Sequence, residues 1–353
     1  MEPVSDLLAE ICGYSGESVP RATLVRGDVF GGRYELLEQV GRGGSAVVWR
    51  ARDRILARDV AIKVAQPRNE KSRLRLVREA QIGAQLGHPS LMPVLDFGGE
   101  NGCVYIIMPL VAGPTLRARV NGGRLPWRTV AVWIHHLLAG LGLLHAAGYI
   151  HRDVKSENCL ISTDASGDRL ILADFGLART IDPRGTSEVI GSINYMAPER
   201  VTDVDVDERS DLYSVGVVLF EALTRRLPFP GVGQHEVIRL HAHEPPPRVS
   251  SLADVPDAFD KIVSTALAKK PKDRFQSAAE FDEAILRLID ERELDAVPVA
   301  GSWEVLKAIE AWLESRGESA LEAAKQAARR DKRWGSLQAL FEVASLAEDS
   351  GRL

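Results

Sequence analysis

Two short polar blocks constrain this chain more than any other feature. The first, His151-Arg152-Asp153-Val154-Lys155-Ser156-Glu157-Asn158, holds a carboxylate, an amine and an amide at fixed offsets. The second, Asp174-Phe175-Gly176, begins sixteen residues after Asn158 and sets a carboxylate on a glycine-ended turn. Asp153 can accept or orient the proton of an attacking hydroxyl. Lys155, two residues on, can offset the charge of a transferring group. Asn158 and Asp174 offer the hard oxygen ligands that Mg2+ prefers. These groups act together only if the fold brings them to one cleft. Their type, order and spacing point to phosphoryl transfer, where positioning and charge neutralisation do most of the chemistry.

The chain has the material for such a cleft. Its 353 residues are 45% hydrophobic, enough for one large or two modest domains. A net charge of −5 argues against nucleic acid or an anionic membrane as the main partner. Cys12, Cys103 and Cys159 lack pair spacing, so neither a disulfide framework nor a zinc site is expected, which fits a reducing cytoplasm. The start lacks a basic stretch followed by an apolar run, and no run of eighteen apolar residues follows. The expectation is therefore no signal peptide and no membrane span.

Residues 1–33 read as an N-terminal extension, a short apolar-periodic stretch followed by a tether. Short strand-like runs, the one over 59–64 rich in β-branched residues, then predict strands over 34–39, 46–50, 59–64, 92–97 and 104–108. Helical periodicity appears over 70–86. After Gly113-Pro114 it dominates, over 126–147, 210–223, 236–241, 259–268 and 277–290. The pattern predicts an α+β fold of two lobes, a β-rich lobe over 34–112 and a larger helical lobe over 113–290. Residues 291–301 read as a linker. Residues 302–353 read as an amphipathic helical extension, with Trp303, Leu306, Ile309 and Leu313 near helical spacing. That stripe suits packing on the rest of the chain. It also suits docking of a regulator or a second copy.

Two further motifs lie upstream. Val40-Gly41-Arg42-Gly43-Gly44-Ser45-Ala46-Val47-Val48 is a glycine turn between strands, where backbone N–H groups can approach phosphate oxygens. Taken alone it is equally a tight hairpin. Lys63, in Val60-Ala61-Ile62-Lys63, sits in an apolar strand and must snorkel to water or find an anion. Glu79, on the next helix, is its natural partner.

In this order the motifs, with Ala197-Pro198-Glu199 after them, resemble those of the eukaryotic-type (Hanks-type) serine/threonine protein kinases over about residues 34–290, in bacterial style. The resemblance implies a two-lobed kinase-like fold, ATP with Mg2+ (Mn2+ as a substitute), and protein substrates with serine or threonine acceptors. It assigns Asp153 and Lys155 to catalysis and Asn158 and Asp174 to the metal. It assigns Val40, Gly41, Arg42, Gly43, Gly44 and Lys63 to the nucleotide, with Lys63 on its phosphates and Glu79 holding the Lys63 ammonium in place. Val48, Ala61 and Leu160 become an apolar adenine slot, and Met108, Pro109 and Val111 its backbone edge. Asp211 should brace the catalytic loop, and Arg274 should pair with Glu199. Glu157 suits a basic residue near the acceptor. Lys155 and Ser192 favour serine and threonine acceptors. Arg152 can receive a phosphate on Thr186 or Ser187, which implies control by autophosphorylation.

Two departures matter. Ala46 stands for the third glycine of the turn. Gly83 stands four residues after Glu79, where the family carries a bulky apolar side chain. The second predicts a loosely held helix, an incomplete Lys63–Glu79 pair, and higher activity in Gly83→Leu. Together they support the alternative of a weak, pseudokinase-like scaffold. A small-molecule phosphotransferase is disfavoured by Arg152 and by Ala197-Pro198-Glu199.

Overall fold

Alternation of apolar residues explains the first layer of the molecule. The structure, a computed structural model, describes residues 24–42, 46–65, 70–100, 102–164, 167–175, 179–180, 193–202 and 206–289. Strands β1 (Val29–Phe30), β2 (Tyr34–Arg42), β3 (Ala46–Asp53), β4 (Arg58–Ala65), β5 (Asp96–Glu100) and β6 (Cys103–Pro109) form one antiparallel sheet in the order β1-β2-β3-β4-β6-β5. Successive side chains point to opposite faces. Val60, Ile62 and Val64 of β4 therefore join Leu36, Ala51, Tyr105 and Ile107 in a small core, while Ala61 and Lys63 face the other way.

That other face receives α1 (Glu70–Gln85). Its Ile82, with Leu91 and Met92 beyond it, belongs to the second and larger core. Gly113 marks the passage between the lobes. A Cβ there would lie 1.8 Å from the Ile161 carbonyl oxygen, so only glycine permits the approach. Next come α2 (Leu116–Asn121), α3 (Trp127–Ala146), β7 (Tyr149–Ile150), β8 (Cys159–Asp164), β9 (Gly167–Leu172), β10 (Arg179–Thr180), α4 (Glu199–Thr202), α5 (Arg209–Thr224), α6 (Gln234–His243), α7 (Ala258–Ala266) and α8 (Ala278–Leu286). β8 pairs with β9, and β7 with β10, as two small antiparallel ribbons. α5 is buried on every side from Ser210 to Thr224. α3 is long and apolar enough by composition to cross a membrane, with a mean hydropathy of 1.4, yet 67% of that stretch is buried inside the molecule. It is a core helix of the larger lobe.

The expected α+β, two-lobed arrangement is what the structure holds. Three expectations change. The strand expected over 92–97 begins only at Asp96. Pro93 has no N–H to give to a ladder. Its neighbours spread their bonds, Met92 N to Leu172 O (2.8 Å), Val94 N to Gly83 O (3.0 Å) and Leu95 N to Ile107 O (2.8 Å). β1 lies inside the stretch read as an extension, so the sheet begins before Tyr34. The β8–β9 hairpin was not expected at all. Cys103 and Cys159 are buried free thiols. Cys12, the linker expected over 291–301 and the helical extension expected over 302–353 lie outside the described residues.

Candidate active site

The candidate side chains come from separate elements of the two lobes. β4 carries Lys63 inward, and its Nζ bonds Glu79 Oε1 of α1 (2.6 Å) and Asp174 Oδ1 just past β9 (2.8 Å). Burial alone would pull the Lys63 ammonium down, but the charges of Glu79 and Asp174 outweigh it and hold the pKa above its ordinary value. The pair expected to be incomplete is formed. The reason lies at Gly83, where a Cβ would meet Val94 Cγ2 at 2.6 Å. Val94 occupies the space that a larger side chain on the helix would need. Gly83 is thus a fitted contact and leaves no gap.

The loop after β7 holds the second group. Lys155 Nζ bonds Asp153 Oδ2 (2.6 Å), and Asn158 Nδ2 donates to the same oxygen (3.0 Å) and to Asp153 O (2.8 Å). The two groups adjoin, because Ala173 N, one residue before Asp174, donates to Asn158 O at 2.8 Å. The β8–β9 hairpin therefore sets Asn158 at one foot and Asp174 at the other. Its signal was present in the sequence, the short run Cys159-Leu160-Ile161-Ser162-Thr163 followed by the turn-forming Asp164-Ala165-Ser166-Gly167.

Beneath the loop, Asp211 of α5 accepts from His151 N (Oδ2, 2.8 Å) and Arg152 N (Oδ1, 2.8 Å), and its Oδ2 lies 2.9 Å from His145 Nε2. Burial works to raise the Asp211 pKa, but the bonds and charge of His145 and the backbone donor hold it below the ordinary value. His145 was not foreseen. It sits in the last turn of α3, where nothing in the pattern separates it from the helix around it. Arg274, fully buried, grips Glu199 with both nitrogens at 2.7 Å, as expected. Arg200 donates to the Arg152 carbonyl.

Of the expected nucleotide contacts, Ala61 lies opposite Met108 and Val60 opposite Pro109 across β4 and β6. Val48 lies opposite Gly41, and Arg42 opposite Val47. Leu160 bridges to Thr115. Val48, Leu160, Met108 and Val111 are all half-buried. Val40 is 52% exposed. Gly43, Gly44, Thr186, Ser187 and Ser192 lie outside the described residues.

This arrangement has a known counterpart. Residues 34–284 match the model of the protein kinase domain. The chain belongs to the protein kinase family, among its bacterial Hanks-type serine/threonine members. The serine/threonine-protein kinase PknB of Mycolicibacterium smegmatis is 40% identical to it over 282 residues, which is 76% of this chain and 44% of that protein. PknD of Mycobacterium tuberculosis is 38% identical over 260 residues, 71% of this chain and 39% of its own length. The chain thus spans about two fifths of these relatives. The crystal structure of the PknI kinase domain of Mycobacterium tuberculosis superposes with a TM-score of 0.61 at 27% identity, covering 76% of this chain and 99% of that one.

Proposed function

We propose that this kinase-family chain transfers the γ-phosphoryl group of ATP to serine and threonine hydroxyls of proteins. The observation that carries the proposal is the bridging position of Lys63, bonded at once to Glu79 and Asp174 beside the Asp153–Lys155–Asn158 cluster. The ammonium is held by two carboxylates and stays charged, ready for the α- and β-phosphates. Asp153 orients the acceptor hydroxyl and takes its proton. Lys155 balances the charge that develops on the phosphoryl group. Val48, Ala61 and Leu160 suit an adenine ring.

The residues also fit a divalent cation. Asn158 spends its amide nitrogen on Asp153, which leaves the oxygen as its other polar end. The Asp174 side chain is 43% exposed, against 3% for Glu79, so it reaches both the lysine and the cleft. Asn158 and Asp174 would hold Mg2+ or Mn2+, which neutralises charge on the terminal phosphates when bound. The formed Lys63–Glu79 pair works against the scaffold alternative.

Incubation with labelled ATP, Mg2+ and a generic protein substrate tests this. We expect serine and threonine labelling, and a drop in kcat of about a thousandfold in Asp153→Asn. Nucleotide binding without labelling would favour the scaffold instead. The reading includes control by autophosphorylation at Thr186 or Ser187, with Arg152 receiving the phosphate. Peptide mapping after incubation with ATP checks it, and full activity with residues 175–195 unphosphorylated would refute it.

A further inference from the structure

Three histidines meet where the turn after α1, helix α3 and strand β9 pack together, and the proposed chemistry uses none of them. His88 lies in that turn, and His135 and His136 are neighbours in α3. The rings of His135 and His136 are buried, their centres 5.8 Å apart. His88 Nδ1 accepts from Ser90 N at 3.0 Å, and His136 Nδ1 accepts from Leu170 N of β9 at 3.4 Å. His135 Nδ1 lies 2.7 Å from Asp282 Oδ1 and 2.9 Å from Asp282 Oδ2, on α8. The Nε2 of each ring is buried with no hydrogen-bond partner among the described residues. Among those residues no group of three such side chains is arranged to hold a metal ion.

The two Nδ1 acceptors sit on one seam. Leu172 N donates to Ser90 O and Met92 N to Leu172 O, both at 2.8 Å, so the His88 turn is laced to the end of β9. Two residues on from Leu172, Asp174 takes the Lys63 ammonium. With Nδ1 accepting, the neutral rings of His88 and His136 carry their proton on Nε2. A second proton must go to Nδ1. There it sets a donor against the N–H of Ser90 or Leu170, while the Nε2–H still lacks an acceptor. The surroundings oppose that proton as well. Burial, with His135 and Arg169 as neighbours, holds the His88 pKa down at about 4. Burial, with His135, Arg169 and His88, holds that of His136 at about 3. Asp282, the carboxylate of the cluster, is bonded to His135.

We infer that His88 and His136 form an acid-sensitive latch on the seam that carries Asp174, closed while both rings are neutral and opened when they take up protons. Opening frees the end of β9 from the His88 turn, draws Asp174 from Lys63 and switches transfer off. The sign follows from linkage. Each folded pKa is lowered, so each ring stabilises the closed seam above its unfolded pKa of about 6.5. That contribution is lost as pH falls toward the folded value. Below about pH 6.5 each histidine should favour the open seam about tenfold per pH unit. The effect on transfer rests on the kinase reading, and the opening itself does not.

The test is amide hydrogen exchange on the full chain from pH 8 to pH 5, corrected for the intrinsic pH dependence of exchange, with the transfer assay run alongside. Residues 90–92 and 170–173 should exchange faster as pH falls, by about a hundredfold between pH 6.5 and 5.5 with both histidines acting. Residues 212–223 of α5 should stay protected. Transfer should fall over the same interval and return when the pH is raised. His88→Asn and His136→Asn each keep an acceptor near the Nδ1 position and remove the titration. Either should reduce the rise to about tenfold. The double variant should exchange, and transfer phosphoryl groups, at pH 5.5 as it does at pH 7. A seam whose exchange ignores pH overturns the inference. So does a seam that opens only together with α5, or a double variant with the wild-type profile. If the variants do not fold, the wild type decides, since opening of the seam ahead of α5 supports the latch. No transfer above the Asp153→Asn background at any pH would refute the kinase reading, while the exchange would still show whether the latch exists.

Discussion

Arg152 and Asp174 hold positive φ angles of 68° and 72° without being glycine. Such conformations cost about 1–3 kcal/mol each and last only where their surroundings enforce them. Asp211 enforces the first, since one carboxylate oxygen takes the Arg152 N–H and the other the His151 N–H. In Asp211→Asn one oxygen becomes a donor that faces another donor. The expected loss is about 1–3 kcal/mol of stability, with a fall in kcat as the loop carrying Asp153 loses its brace. The sign of the pH dependence follows from the direction of the shift. A carboxylate with a lowered folded pKa adds stability that is present above its unfolded pKa and is lost as pH falls through the folded one. The stability gap between wild type and variant should therefore begin to close below about pH 3.9. Urea unfolding at several pH values reads the gap. An equal midpoint at pH 7, or an unchanged kcat, would remove the brace from the argument.

The helix α1 shows how a local rule and a packed neighbour can disagree. Glycine costs about 1 kcal/mol in a helix relative to alanine. On propensity alone Gly83→Ala should tighten α1. Overpacking against Val94 costs about 1–3 kcal/mol, the larger effect. Gly83→Ala should therefore push α1 off the sheet, part Glu79 from Lys63 and lower kcat, and Gly83→Leu should do so more strongly. Adding Val94→Ala to Gly83→Ala should restore the activity. A double-mutant cycle in kcat and melting temperature checks this, and a rise in activity in Gly83→Ala alone would contradict it. The same contrast explains what the sequence disclosed. The long helices were legible from their apolar content and length, as in α3 and in α5, which is buried all round. Lys63 and Glu79 were legible as partners from motif order, although the pair was expected to be incomplete, and the bond from Lys63 to Asp174 was not foreseen. The 92–97 segment misled because its apolar residues answer to three separate partners. His88, His136 and Leu170 were invisible as a set, because the turn after α1, α3 and β9 meet only in space.

At the scale of the molecule, two cores flank the cleft, and the first extends upstream of the expected boundary. Leu24 packs against the smaller core and Phe30 is buried in it, 5.6 Å from the Tyr105 ring. Gly27 N donates to Leu36 O and Leu36 N to Asp28 O, both at 2.8 Å, and Gly31 N reaches Glu100 Oε2 at 2.7 Å. A fragment of residues 34–289 would lose all of these. Burial of Phe30 alone is worth about 2–3 kcal/mol. The loss falls on the edge of the sheet whose second strand carries Gly41 and Arg42, the residues proposed to approach the phosphates. By contrast, α1 is tied to the larger core through Ile82, with Leu91 and Met92 beside it. The Lys63–Glu79–Asp174 contact should therefore survive the cut better than the glycine turn. Compared with residues 24–289, the 34–289 fragment should melt lower and show a raised KM for ATP, with kcat changed less. Matching melting temperatures would place the start of the folding unit at Tyr34 after all. A kcat that collapsed while KM held would instead mean that the first strand braces α1.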